Sequence, residues 1–305
     1  MNESKGKTKI ALVQMTVGTD PAENMARAAK KVEEAARAGA QVVCLPELYR
    51  SRYFCQTEDA GFFDLAETIP GPSTEHFREI ASKLGVVILL PLFERRAPGL
   101  YHNTVVVLDA DGKTAGIYRK MHIPDDPGYY EKYYFTPGDL GFCSFNTKAG
   151  PIGVLICWDQ WYPEAARLTA LKGAQVIFYP TAIGWLPGEK EGNGLAQREA
   201  WMTVQRGHAV ANGVYVAAVN RVGHEDQRGA EGIDFWGSSF VADPQGMIVA
   251  QAAMDREEML YADVDPARIE EVRRNWPFLR DRRVDAYDGI TSRMLDKSEA
   301  RISKS

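Results

Sequence analysis

The sequence predicts an α/β fold in which helices cover the outer faces of β-sheets. Three observations point there. Apolar runs of strand length alternate with amphipathic stretches of helix length along most of the 305 residues. The middle of the chain carries extra hairpin-connected runs that a simple doubly wound sheet does not need. Several strands also stop abruptly on a charged or thiol-bearing residue. No linker, low-complexity block or solenoid repeat interrupts the pattern. One domain spanning 1–305 is expected, with a core over about 9–265 and a charged tail over 275–305.

The elements follow in order. Residues 9–15 read as a core strand, and Asp20-Pro21 as the start of an amphipathic helix that ends at Gly39. Residues 41–45 form the next strand, 73–84 a helix and 86–90 a strand. Strands over 103–108 and 114–118 flank the turn Asp109-Ala110-Asp111-Gly112. The run 152–156 has the length of a buried strand and stops at Cys157; Pro163 suits the first turn of a helix over 164–172, and Gly173 ends it. A strand over 175–179, a long loop, a helix over 195–212 closed by Gly213 and a strand over 214–220 come next. Strands over 238–242 and 247–250 turn on Asp243-Pro244-Gln245-Gly246, and a strand over 259–264 leads into a helix over 265–274.

Composition excludes several classes. A net charge of -5, with basic residues scattered, leaves no nucleic-acid footprint. No apolar run reaches the ~20 residues of a membrane helix, and residues 1–9 lack the apolar core of a secretory signal, so a cytoplasmic protein is expected. Cys44, Cys55, Cys143 and Cys157 lack zinc-ligand spacing and are expected as free thiols. There is no glycine-rich phosphate loop and no metal-ligating cluster, so no cofactor is expected.

The chemistry sits at strand ends. Glu47 follows the strand through Leu45, Lys120 follows the strand ending at Tyr118, and Cys157 follows the run through Ile156. Ligands of open α/β sheets bind at that edge. A carboxylate beside a thiol serves as general base, and an ammonium stabilises an oxyanion. A helix start after Cys157 is expected to favour the thiolate. Taken singly, Glu47 also fits a loop cap, Lys120 a surface charge and Cys157 core filler.

Three motifs together resemble the nitrilase, or carbon-nitrogen hydrolase, superfamily: Leu45-Pro46-Glu47-Leu48, Tyr118-Arg119-Lys120-Met121-His122, and the segment from Gly153 through Cys157 to Asp159. The likeness runs over about 10–264. It implies an α-β-β-α four-layer sandwich, with Glu47 as base, Lys120 as oxyanion stabiliser and Cys157 as nucleophile. It also implies Glu131, which precedes Pro137-Gly138, as a second working glutamate, and the backbone N–H of Trp158 as an oxyanion donor. Family members commonly form dimers or assemblies of dimers, which makes the helix after Cys157 and the tail candidate interface elements.

Longer runs, including Ile123-Pro124-Asp125-Asp126-Pro127-Gly128 and the segment from Tyr179 to Gly184, resemble the branch that hydrolyses N-carbamoylputrescine to putrescine, ammonia and carbon dioxide. Such a substrate wants negative charge around its distal ammonium, for which Asp125, Asp126, Glu189 and Glu191 are candidates. The chain departs from the branch at Trp185-Leu186, whose bulk is expected to reshape the distal pocket, with Trp158 and Trp236 as further lining candidates. A carboxylate-bearing N-carbamoyl amino acid, β-ureidopropionate included, would instead want Arg198 or Arg206 facing inward; a simple amide also remains open. A catalytically silent binding relative is the reading from another class. His102, His122 and His208 read as structural, as does Asn220-Arg221.

Overall fold

The computed structural model describes residues 6–227 and 230–295. Along the chain run β1 (Thr8–Gln14), α1 (Pro21–Arg37), β2 (Val42–Cys44), α2 (Pro72–Leu84), β3 (Val87–Ala97), β4 (Leu100–Leu108), β5 (Thr114–Arg119) and α3 (Glu131–Tyr134). They are followed by β6 (Ser144–Thr147), β7 (Gly150–Val154), α4 (Pro163–Leu171), β8 (Val176–Thr181), β9 (Gly184–Trp185), α5 (Gly194–Asn212) and β10 (Tyr215–Asn220). Last come β11 (Val222–Glu225), β12 (Ile233–Trp236), β13 (Phe240–Ala242), β14 (Ile248–Gln251), β15 (Glu258–Val264) and α6 (Pro266–Asn275).

Two six-stranded mixed sheets form the centre, in the orders β15-β1-β2-β3-β4-β5 and β14-β13-β10-β8-β7-β6. Strand periodicity of two decides what each face meets. In β1, Ile10 and Leu12 join the core shared with Val154, Phe178 and Ala217 of the second sheet. The intervening Ala11 and Val13 pack with Ala28, Val32, Phe77 and Ile80 of α1 and α2. Helices α4 and α5 contact the strands of the second sheet and contribute Ala165, Ala166, Ala170, Trp201 and Met202 to its packing. The result is the four-layer α-β-β-α sandwich. A small third sheet, β11-β12-β9, stands beside it.

Local chemistry starts and stops these elements. The Asp20 carboxylate accepts the Ala22 amide at 2.8 Å, with Pro21 opening α1. Gly153 lets α4 approach β7 closely, since a Cβ there would lie 2.4 Å from Thr169 Cγ2.

The structure departs from the sequence expectation in four places. Strand β3 continues to Ala97 and β4 begins at Leu100, so a long hairpin replaces two short strands. The third sheet and β6 were not expected. Glu131 opens a single helical turn instead of lying in a loop. Cys157 does not abut α4: a 3-10 segment, Cys157–Trp161, intervenes.

Candidate active site

Strand β2 ends at Cys44, and the chain turns through Leu45 and Pro46 to place Glu47, fully buried, below a cavity. Leu48 takes a left-handed backbone conformation with φ 49°. Arg221, just beyond β10, closes this turn: its guanidinium donates to the Glu47 and Leu48 carbonyls at 2.7 and 2.8 Å. Lys120, the residue after β5, is equally buried. Its amide donates to the Asn103 carbonyl and its carbonyl accepts the Gly138 amide. Only glycine fits at 138, because a Cβ would fall 2.1 Å from the Arg119 carbonyl oxygen.

These placements bring four sequence-predicted residues together. The Lys120 ammonium donates to Glu47 Oε1 at 2.8 Å and to Glu131 Oε2 at 2.6 Å. Asn103 Nδ2 also donates to Glu47 Oε1, at 2.7 Å, and Tyr53 donates to Glu131 Oε1, at 2.7 Å. Glu47 Oε2 is buried and accepts no hydrogen bond from the described residues. A lysine ammonium has three donors; two are used within this cluster.

Cys157 lies at the end of the β7 run with φ 42°, a strained value for a residue with a side chain. Its thiol faces the Ala182 carbonyl at 3.9 Å and feels the charges of Glu47, Lys120 and Glu131. Asp159 holds the elbow. One of its oxygens accepts the Ile156 amide at 2.9 Å and the Tyr118 hydroxyl at 2.7 Å; the other accepts the His122 amide at 3.0 Å and lies 2.7 Å from His122 Nδ1. The first hydrogen bond of the 3-10 segment runs from the Asp159 amide to the Ile156 carbonyl, so the amides of Cys157 and Trp158 precede it.

Electrostatics correct one expectation. Burial raises the Cys157 thiol well above its ordinary value and Glu47 adds to the rise, with Lys120 opposing. Burial thus favours the protonated thiol, and the 3-10 segment sets α4 six residues further on. Burial would lower Lys120, but Glu131 and Glu47 outweigh it and hold the ammonium charged. Burial lifts Glu131 to about 7 against the pull of Lys120, with Glu47 adding to the rise.

A cavity of about 520 Å³ opens above the cluster. Cys157, Trp158, Glu131, Asp126, Glu189 and Trp236 line it as expected. Asp125 and Trp185 do not. Asp125 is exposed to solvent. Trp185 is buried, donates from its indole to the Gly194 carbonyl at 2.9 Å and packs on Trp236; Leu186 takes the wall position instead, seated against Gly128. Glu189 accepts from the Leu186 amide and from Gln197, so it also pins that wall. Arg198 is engaged by Ser238 and Glu199, Arg206 by the Gly246 carbonyl, and neither lines the cavity. Glu191 is exposed and does not line it either. The three histidines hold structural bonds: His102 to the Thr136 carbonyl, His208 to the Gln160 carbonyl and His122 to Asp159. Sequence reasoning missed Tyr53, Asn103, Tyr129, Trp161 and Gln197. Only Asn103 carried a signal, as a polar residue opening an apolar strand.

Comparison with known proteins places this geometry. The carbon-nitrogen hydrolase family model matches residues 9–274. The chain is 45% identical to an N-carbamoylputrescine amidase of Solanum lycopersicum over 94% of its length and 96% of the relative's. It is 42% identical to a citrullinase of Francisella tularensis over 92% of its length and 97% of the relative's. A crystal structure of a carbon-nitrogen hydrolase from Helicobacter pylori G27 superposes with a TM-score of 0.91 at 48% identity, covering 95% of this chain and all of that one. With the family model spanning nearly the whole fold and relatives matched end to end, this chain belongs to the carbon-nitrogen hydrolases.

Proposed function

We propose that this protein hydrolyses the ureido group of N-carbamoylputrescine, giving putrescine, ammonia and carbon dioxide, with Cys157 as nucleophile, Glu47 as general base and Lys120 as oxyanion partner. The carrying observation is Glu47 Oε2, a buried carboxylate oxygen with no hydrogen-bond partner among the described residues, in a cluster whose thiol is raised toward its protonated form. Such a thiol needs a local base, and Glu47 supplies one. The Cys157 proton passes to Glu47 as sulfur attacks the ureido carbon. The developing oxyanion takes the remaining Lys120 hydrogen and the Trp158 amide. Collapse expels an amine that carries the proton from Glu47 and leaves a thiocarbamate on Cys157. Water, deprotonated by Glu47, hydrolyses it to a carbamate that loses carbon dioxide. Glu131 fixes Lys120 from its far side.

The lining charges outside the Glu47–Lys120–Glu131 cluster support a cationic substrate tail: Asp126 and Glu189 are acidic, and no lysine or arginine is among the described lining residues. Citrulline is the second reading, favoured by the Francisella relative. Its α-carboxylate would need a cation, which Arg198 and Arg206 do not provide. The small-molecule reaction takes place, in this reading, in one domain of a cytoplasmic protein whose four cysteines are unpaired. Among the described residues no helix is long and apolar enough to cross a membrane. In the same reading two copies meet through α4 and the tail, a pairing supported by the exposure of Leu168 and Leu171 on α4.

The test is ammonia release from N-carbamoylputrescine, citrulline, N-carbamoyl-β-alanine and glutamine, with Cys157→Ala as control. Release from the first, abolished in the variant, is the expected result. Release from the others alone would overturn the substrate, and turnover retained by Cys157→Ala would overturn the chemistry.

A further inference from the structure

We propose that Tyr53, Glu225 and Arg221 are positioning residues for the reaction: a closed ring of buried hydrogen bonds through them holds Glu47 and Glu131 on the two sides of Lys120. The ring can be followed atom by atom. From Lys120 it passes to Glu47 Oε1 at 2.8 Å and through the backbone of Glu47 to its carbonyl, which accepts from Arg221 Nη2 at 2.7 Å. Arg221 Nη1 donates to both Glu225 oxygens, at 2.9 and 2.7 Å. Glu225 Oε2 accepts the Tyr53 amide at 2.8 Å, and the Tyr53 hydroxyl donates to Glu131 Oε1 at 2.7 Å. Glu131 Oε2 returns to Lys120 at 2.6 Å. Every member is at most 1% exposed.

A buried arginine–glutamate pair is a poor way to gain stability, because desolvating both charges offsets their attraction. Its position here gives it another use. The turn that aims the Glu47 side chain at Lys120 puts Leu48 at φ 49° and leaves two carbonyls pointing inward. Arg221 satisfies both, and Glu225 neutralises Arg221 while fixing Tyr53. The same ion pair therefore sets one carboxylate through its backbone and the other through a phenol. Carboxylates on separate segments, more than 80 residues apart in sequence, are thereby held in one rigid frame.

Glu131 is faced by Lys120 and Glu47 from the strand ends, by Tyr53 and Cys55 from the segment after Glu47, by Tyr129 from its own loop and by Cys157 from the elbow. Of these, Tyr53 and Lys120 favour its ionised form through hydrogen bonds. Deleting the phenol oxygen leaves the carboxylate less stabilised, so Glu131 should hold its proton to higher pH.

This role rests on Glu47 and Glu131 being the working carboxylates, and the experiment separates the two claims. Tyr53→Phe and Glu225→Gln are compared with the parent by two readouts: kcat and KM for ammonia release, and the pH dependence of Cys157 alkylation by iodoacetamide, read by peptide mass spectrometry. Tyr53→Phe should lower kcat about tenfold with KM little changed, and move the alkylation inflection down by about one pH unit, because a Glu131 that keeps its proton no longer adds its charge to the rise of the Cys157 thiol. Glu225→Gln should shift both in the same direction, and it carries the test if Tyr53→Phe fails to fold. An inflection unmoved in a folded variant overturns the ring even where ammonia is released. An inflection that moves while the parent releases no ammonia from any substrate keeps the ring and removes the substrate reading.

Discussion

Arg119 and Lys120 are neighbours at the end of β5, and each meets two carboxylates, yet they make opposite kinds of site. Arg119 turns to the outer side and forms a fork on Glu94, with Nε and Nη2 at 2.8 and 2.6 Å from its two oxygens, while Nη1 reaches Asp139 at 2.8 Å. Thr104 adds a further bond to Glu94. Burial would raise Glu94, but the bonds from Arg119 and Thr104 outweigh it and lower it; Asp139, bonded by Arg119 and Arg96, is lowered to about 2. Lys120 turns inward to a drier place. There burial dominates, Glu131 rises to about 7, and Glu47 keeps an oxygen without a partner among the described residues. A planar five-donor fork saturates its carboxylates; an ammonium with three donors leaves capacity over. The satisfied pair is structure, and the unsatisfied one retains a place for a proton.

Substitutions can break that distinction. The largest expected effect is Glu47→Gln, which should lower kcat by about 10²–10⁴-fold because a neutral amide cannot take the thiol proton; ammonia release measures it. Arg119→Met should do the reverse, keeping kcat near the parent's in the folded enzyme while reducing unfolding free energy by about 3–5 kcal/mol in urea titrations, since it strands the buried Glu94 carboxylate. A comparable loss of turnover in both variants would erase the contrast.

pH sharpens it. Glu131 is raised, so the folded state holds its proton longer than the unfolded chain does. Its contribution to stability is then fullest below the ordinary glutamate range and falls as pH rises through about 7. Glu94 is lowered, so its contribution is present above that range and lost as pH falls below it. Urea midpoints between pH 2 and 8 should show Glu131→Gln flattening the neutral side and Glu94→Gln the acid side. The same Glu131→Gln change should remove a titration near pH 7 from the kcat/KM profile. Asp139→Asn is the mildest test. Its carboxylate is 42% exposed, so the cost should stay within about 1 kcal/mol and shrink in high salt, as calorimetry at two ionic strengths would report.

Much of this contrast could be read in the chain, and some could not. Glu47, Lys120 and Cys157 were visible because apolar runs end beside them, and a buried strand that stops on a polar residue points it at the sheet edge. Which of the adjacent Arg119 and Lys120 faces inward follows from strand register, which sequence fixes only through its partners. The four-layer arrangement was legible from rhythm and resemblance. The third sheet was not, since β9, β11 and β12 are two to four residues long, too short for a period of two to show. Tyr53 and Glu225 gave no sign of their link because they lie 172 residues apart. Trp185 misled for a simpler reason. Trp185 ends the two-residue strand β9 with its side chain buried, and Leu186, the next residue along, meets the cavity.

The four contacts gathered by Asp159 carry a consequence for motion. They bind the Cys157 elbow to both Tyr118 before Lys120 and His122 after it, so thiol and ammonium belong to one stiff body. Turnover cannot depend on these two groups approaching or parting. The rim contact of Leu186 with Gly128 involves none of these bonds and lies outside that body.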